Sequence, residues 1–338
     1  MNAAASRQRR AMARALSRAA DATVAEVLAR AKDSMGVCRR IGVTGPPGAG
    51  KSSLIAALAR HRLACDGDIA ILAVDPTSPF SGGAILGDRI RMEDLAQNPR
   101  VYIRSLASRN SHDGLSDNLP DLLDIVEGAG FVETILETVG VGQVEYAVRH
   151  IVDTTLLVLM PGAGDQIQAM KSGILETADI FVVNKADQPG ARQLAAELAS
   201  VLKLKVPDSQ GPGGGWLPSI VSTSVQDPTS IAALAEAVDR HQAWLASRQD
   251  VCKRLEKRRA QHVGSLVARR VAEVLEELPT ELLHLPLASL YEAVVQRLSE
   301  TTPSSTSKGT IEEERFFQRL DGRPRQEHRP IQIREEAT

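Results

Sequence analysis

The segment Gly45-Pro46-Pro47-Gly48-Ala49-Gly50-Lys51-Ser52 constrains this chain more than any other. It fits the G-x-x-x-x-G-K-[ST] phosphate loop in full, follows the apolar run Ile41-Gly42-Val43-Thr44 and opens a helical stretch over Ser52–Leu63. Such a loop works only between a strand and a helix. Its glycines let the backbone curl so that successive N–H groups point at phosphate oxygens, and the helix N-terminus adds partial positive charge. Lys51 is placed to bridge the β- and γ-phosphates, the Ser52 hydroxyl to ligate Mg²⁺, and Ser53 to complete the cradle. The expected fold is therefore α/β, a P-loop domain with a mostly parallel central sheet.

The rest of the pattern agrees. Apolar runs at Arg40–Thr44, Ile69–Val74, Val101–Arg104, Phe131–Glu137, Thr155–Met160, Ile180–Asn184 and Ser219–Ser222 read as strands. Helical stretches such as Ser52–Leu63 and Arg192–Leu202 lie between them, the alternation of a parallel sheet. The glycine-rich segment Pro207–Pro218 reads as a loop. Residues 39–247 thus form a P-loop domain, and residues 1–38 a helical extension. Arg7, Arg9, Arg10, Arg14 and Arg18 with no acid among them can also read as a mitochondrial transit peptide. The uninterrupted run into Val24, Val27 and Leu28 favours one amphipathic helix and a cytoplasmic setting.

Beyond Ser247 the strand signal stops. Residues 248–278 read as one long charged helix with apolar positions Val251, Leu255, Val263, Leu266, Val267, Val271, Val274 and Leu278. A second helix carries Leu287, Leu290, Tyr291, Val294, Val295 and Leu298 at helical spacing. This arm, residues 248–300, must bury its stripes against the core domain or against a second subunit. Residues 301–338 read as a disordered tail.

Composition narrows the function classes. A net charge of −2 and 3% aromatic residues give no reason to expect nucleic-acid binding. No apolar run is long enough to span a bilayer. Cys38, Cys65 and Cys252 are isolated, which fits a reducing compartment and neither a disulfide framework nor a zinc site.

Asn184-Lys185-Ala186-Asp187 stands at the carboxyl end of an apolar strand, where ligands of parallel sheets bind. A carboxylate at Asp187 can accept from guanine N1–H and its exocyclic amine; adenine offers no such pair. With a phosphate loop upstream, GTP is expected over ATP. Ser222, Thr223 and Ser224 follow the last strand as a further base-loop candidate. For Mg²⁺, Asp75 closes the second strand, Asp88 follows in a glycine-rich loop, and Glu137 holds the Walker B position. Gly140 is placed to sense the γ-phosphate through its N–H. Val141 follows, where small GTPases place a water-orienting glutamine; Gln143 stands nearby in another register. Slow intrinsic hydrolysis that awaits a partner is the expectation, with Lys51, Glu137, Gly140 and Gln143 as catalytic candidates.

Taken together, GPPGAGKSS (45–53), DPTSPFSGGAILGDRIRM (75–92), ETVGVGQ (137–143), PGAGDQIQAMKSGILETAD (161–179) and NKAD (184–187) resemble the MeaB/ArgK-like family, G-protein chaperones of adenosylcobalamin-dependent methylmalonyl-CoA mutase. The N-terminal RRAMARALS (9–17) is similar to the helix that precedes the G domain there. The resemblance implies a SIMIBI-class G domain and a C-terminal arm that forms a homodimer. It implies a GTPase that gates cofactor delivery to the mutase and protects or reactivates it, adenosylcobalamin belonging to that partner. It also implies a switch across Gly162–Lys171. The chain departs from the family pattern at Ser108–Ser116 and at Gly142-Gln143-Val144-Glu145, so a mutase acting on isobutyryl-CoA or 2-hydroxyisobutyryl-CoA is an alternative partner. A nickel-type metallochaperone GTPase would need a His/Cys cluster, which the seven histidines do not form. A transport-associated kinase would share the phosphate loop without a use for the guanine motif.

Overall fold

The computed structural model describes residues 3–30, 38–64, 67–76, 92–108, 118–138, 148–162, 178–205, 215–248 and 251–300. Residues up to Glu277 form one compact unit and those from Leu278 a second.

The first unit is built on a seven-stranded sheet: β1 (Arg39–Thr44), β2 (Ile69–Pro76), β3 (Val101–Ser108), β4 (Glu133–Thr138), β5 (Thr154–Leu159), β6 (Ile180–Asn184) and β7 (Ser219–Thr223). Their order is β3-β2-β4-β1-β5-β6-β7, and every neighbouring pair runs parallel. β4, β5 and β6 are buried along their whole length, which is why they read as continuous apolar runs instead of alternating ones. Successive β2 residues serve opposite faces. Ile69 and Ile71 join a cluster with Leu54, Leu58, Leu234 and Val238, from α3 (Lys51–Leu63) and α7 (Pro228–Arg248). Ala70, Leu72 and Val74 join Met12, Leu16, Leu122 and Val126, from α1 (Ala3–Ala20) and α5 (Leu119–Gly128). Farther along the sheet, Leu157, Phe181 and Val183 pack on Leu194 and Leu198 of α6 (Ala191–Lys205). The short α4 (Glu93–Ala96) leads into β3.

All seven expected strands are present, β2 and β3 running on past their apolar cores and β4 starting later than Phe131. Phe131 instead lies against Tyr102, ring centroids 6.2 Å apart. The single N-terminal helix expected from the sequence is two. α1 ends at Ala20 and α2 (Val24–Arg30) starts afresh. The cause is a reciprocal cap: Thr23 Oγ1 accepts from the Glu26 N–H at 3.3 Å, and Glu26 Oε2 accepts from the Thr23 N–H at 3.1 Å. α1 is held by polar contacts as well as by Leu16. Arg104 donates to the Ala13 carbonyl at 2.9 Å, and Arg9 donates to the carbonyls of Ala96, Asn98 and Val101.

The long charged helix is α8 (Val251–Glu276), preceded by α7, which ends at Arg248. The sequence left open whether it folds back or pairs with a second subunit; one face of it folds back, and the contact is largely ionic, with Val274 buried as well. Arg258 reaches Glu127 (3.3 Å) and Asp153, Arg269 reaches Asp121, and His262 lies between Asp121 and Asp124. Val263, Val267 and Leu275 remain exposed on α8. The second unit begins with a short 3₁₀ turn (Leu282–His284) and continues as α9 (Leu287–Glu300), on which Leu287, Tyr291 and Val295 are exposed. Among the described residues no helix is long and apolar enough to cross a membrane.

Burial opposes charge on His262, but hydrogen bonds to Asp121 and Asp124, and their charges, push its pKa from 6.5 up to about 9. A folded-state pKa raised in this way stabilises fully below the unfolded value and is lost as pH rises through the folded one. His262→Ala should therefore melt below the wild type near neutral pH, and the gap should close above about pH 9. Thermal unfolding across that range checks this; a gap that stays constant would mean packing, not charge, holds α8.

Candidate nucleotide-binding site

β1 lies between β4 and β5 in the middle of the sheet, so the loop leaving Thr44 emerges at the carboxyl ends of three strands. Gly45 adopts φ 140°, and a Cβ there would sit 2.1 Å from the Val158 carbonyl oxygen of β5. Gly50, at φ 86°, immediately precedes α3, where a Cβ would meet the Asn184 amide nitrogen at 2.6 Å. Only glycine fits either place. Between them the Ala49 N–H closes a turn onto the Pro46 carbonyl at 3.3 Å, and Gly48 is also left-handed at φ 78°. Pro47 is exposed at the loop's outer side.

Lys51 and Ser52 open α3 and are buried, whereas Ser53 points outward. Lys51 Nζ donates to the carbonyls of Gly45 (2.8 Å) and Pro46 (3.1 Å), so the ammonium lies within the curl of its own loop. That position suits a charge meant for phosphate oxygens.

The guanine motif is tied to this loop by its asparagine. Asn184 is 2% exposed; its amide nitrogen donates to the Ala49 carbonyl at 2.8 Å, and its oxygen accepts from Thr223 Oγ1 at 3.2 Å. Lys185, in a left-handed turn at φ 56°, donates from Nζ to the Gly48 carbonyl at 2.9 Å and lies 3.5 Å from Met160 Sδ. Asp187 is exposed, and Ser224 Oγ donates to its carboxylate at 2.7 Å. The Ala186 N–H donates to the Thr223 carbonyl at 2.9 Å. The structure thus brings Thr223 and Ser224 to the guanine motif; Ser222 stays in β7, facing away and exposed.

On the other side of the phosphate loop, Glu137 is 2% exposed near the end of β4 and accepts from Ser52 Oγ at 2.8 Å. A serine hydroxyl and a carboxylate at hydrogen-bonding distance, both buried beside a helix N-terminus, are hard oxygen donors that fit Mg²⁺. Asp75 is placed by its backbone at the end of β2, one position past the Val74–Thr138 pair. Asp88, Gly140, Val141, Gln143 and most of the expected switch over Gly162–Lys171 lie outside the described residues. Two neighbours have no role in the sequence reading. Thr44 and Thr138, at the ends of β1 and β4, are fully buried, and their hydroxyl oxygens meet no partner among the described residues. A lone polar residue closing an apolar parallel strand was the available signal.

Comparison with known proteins places this geometry. Residues 9–280 match the family described as methylmalonyl Co-A mutase-associated GTPase MeaB. A candidate GTPase of Pyrococcus horikoshii is 40% identical over 236 residues, covering 70% of this chain and 74% of that protein. The mitochondrial methylmalonic aciduria type A homologue of Caenorhabditis briggsae is 34% identical over 250 residues, 73% of this chain and 60% of that one. Among solved structures, one described as a LAO/AO transport system kinase superposes with a TM-score of 0.56 at 24% identity, covering 94% of this chain and 99% of that chain. The last likeness speaks for the fold alone.

Asn184→Ala would remove both hydrogen bonds of the amide and leave the Ala49 carbonyl and the Thr223 hydroxyl buried without them. The expected cost is about 2–4 kcal/mol of stability, with the two loops uncoupled. Denaturant unfolding measures the first effect and GDP titration the second; unchanged GDP affinity in a destabilised variant would show that the strut serves folding only.

Proposed function

The chain belongs to the family of methylmalonyl-CoA mutase-associated GTPases, and from that premise we propose a magnesium-dependent GTP switch that acts as chaperone to a B12-dependent acyl-CoA mutase. GTP binding and hydrolysis gate adenosylcobalamin loading and protect or reactivate the mutase, to which the cofactor belongs. The observation that carries the nucleotide assignment is the Asn184 bridge, which fixes the guanine-reading Asp187 relative to the phosphate loop. Lys51 and the loop N–H groups hold the β- and γ-phosphates, and Asp187 reads the base against Ser224. Ser52, Glu137 and Asp75 are the residues that would hold Mg²⁺, and the sequence adds Asp88 as a further candidate. When bound, the ion neutralises charge on the phosphate oxygens. Gly140 senses the γ-phosphate, and Gln143 is the nearest side chain in sequence able to orient water, Val141 being apolar. Hydrolysis is accordingly slow until the mutase completes the site.

Two subunits associate through the arm. With one face of α8 taken up by ion pairs, Val263, Val267 and Leu275 on that helix, and Leu287, Tyr291 and Val295 on α9, are left in water. Pairing across a two-fold axis buries the same stripe on both copies. The setting is the cytoplasm.

Two experiments test this reading. GTP turnover should be slow in the purified protein and rise at least about tenfold with its mutase. Running methylmalonyl-CoA, isobutyryl-CoA and 2-hydroxyisobutyryl-CoA mutases side by side identifies the partner by the largest stimulation. Asp187→Asn should lose GTP-dependent stimulation and regain it with xanthosine triphosphate, since the new amide donates to the second carbonyl of that base. No stimulation by any of the three would remove the chaperone assignment; equal use of ATP and GTP would remove the guanine one. For assembly, Leu287→Glu with Tyr291→Glu alters only exposed side chains and should convert a dimer to a monomer by light scattering. A wild-type monomer at micromolar concentration would end the dimer proposal.

A further inference from the structure

A cavity borders the amino ends of β5 and β6. Its volume is about 440 Å³, within the range that holds small organic ligands. Asp153 and Asp179, which line it, precede β5 and β6, whereas Asn184 and the phosphate loop stand at the other ends of the strands. About 17 Å of β6 lies between the two places. Nothing in the nucleotide chemistry uses it.

One wall is aromatic. His241 is 2% exposed and stacks on Trp244, centroids 5.9 Å apart at 15°, while Trp216 packs against it at 4.6 Å. The Trp216 indole N–H donates to the Asp179 carbonyl at 2.8 Å, and His241 Nδ1 lies 2.9 Å from Thr154 Oγ1, so both rings are fixed. Burial pushes the His241 pKa down to about 4, which leaves this wall uncharged at neutral pH. The rim is basic, with Arg149, Arg254, Lys257 and Arg258 against Asp153 and Asp179. Both acids are already engaged by protein donors. Asp153 Oδ2 accepts from the Arg40 N–H at 2.8 Å and from Arg258, and Asp179 Oδ2 accepts from the Thr155 N–H at 2.7 Å. Arg149 and Lys257 stand exposed at the mouth.

We propose that this cavity is a second ligand site, separate from the nucleotide site, for a small organic anion with a flat aromatic or conjugated body. The half-buried Trp216 and Trp244, backed by His241, supply a rigid stacking face, and the basic rim supplies the partner for the anionic group. An uncharged ligand of the same shape would keep the first contact and lose the second.

The chain has two tryptophans, and both line this cavity, so tryptophan emission reports on it directly. The probe is 8-anilinonaphthalene-1-sulfonate, and its uncharged counterpart is N-phenyl-1-naphthylamine. The sulfonate should quench the full-length protein's tryptophan emission saturably at one equivalent, and the uncharged compound should bind at least about tenfold more weakly. Arg149→Ala with Lys257→Ala should weaken the sulfonate by about tenfold while GDP affinity stays unchanged, since both side chains are exposed and remote from the nucleotide. Added salt should weaken the sulfonate and spare the uncharged compound. Equal binding of the two probes, displacement of the sulfonate by GDP, or indifference to both the double substitution and salt would each overturn the proposal.

Discussion

A carbonyl oxygen of β5 comes so close to the backbone of the phosphate loop that no side chain fits between them, and the loop is arranged around that contact. Val158 O would touch any side chain at Gly45, so the chain turns there with no side chain at all. This close approach requires β1 and β5 to be neighbours, which the parallel order provides. One strand farther out, at the end of β6, Asn184 reaches back to the Ala49 carbonyl. A steric limit at Gly45 and the Asn184 bridge thus together tie the phosphate-binding part to the base-reading one.

The helices show a different balance. α3 and α7 are attached to the sheet mainly by apolar side chains, with His241 and Gln242 of α7 also bonded to Thr154 of β5. α8 is attached by charges: Arg258, His262 and Arg269 meet Asp121, Asp124, Glu127 and Asp153, most of them withdrawn from water. Pairs of this kind stabilise little in net terms, yet removing one partner strands the other. Such a contact fixes one orientation of α8 rather than adding bulk stability. Val274 is buried, while Val263, Val267 and Leu275 remain available for a surface of another kind.

The difference decides what could be read in advance. Strands buried on both faces, such as β4, β5 and β6, announce themselves, and all seven strands were legible. β4 was drawn too early because Phe131 looks like strand but packs beside it against Tyr102. The N-terminal helix was drawn without its break, although Thr23 and Glu26 spell the cap that interrupts it. The docking of α8 was not legible: an ionic contact leaves no periodic apolar signal, and its acidic partners come from α5 and from the residue before β5. For the same reason the pairing of Ser224 with Asp187 was only a plausible neighbourhood until β6 and β7 were seen side by side.

Lys51 has its own consequence. Its ammonium is already solvated by the Gly45 and Pro46 carbonyls, inside a loop whose shape is set by glycines and by Asn184. Nucleotide capture is then an exchange reaction: a phosphate replaces peptide dipoles around a cation that was never bare. Little of the binding energy goes into ordering the loop, and part of it goes into releasing the lysine from its resting partners. Affinity at this site is then a difference between two well-solvated states of the same cation.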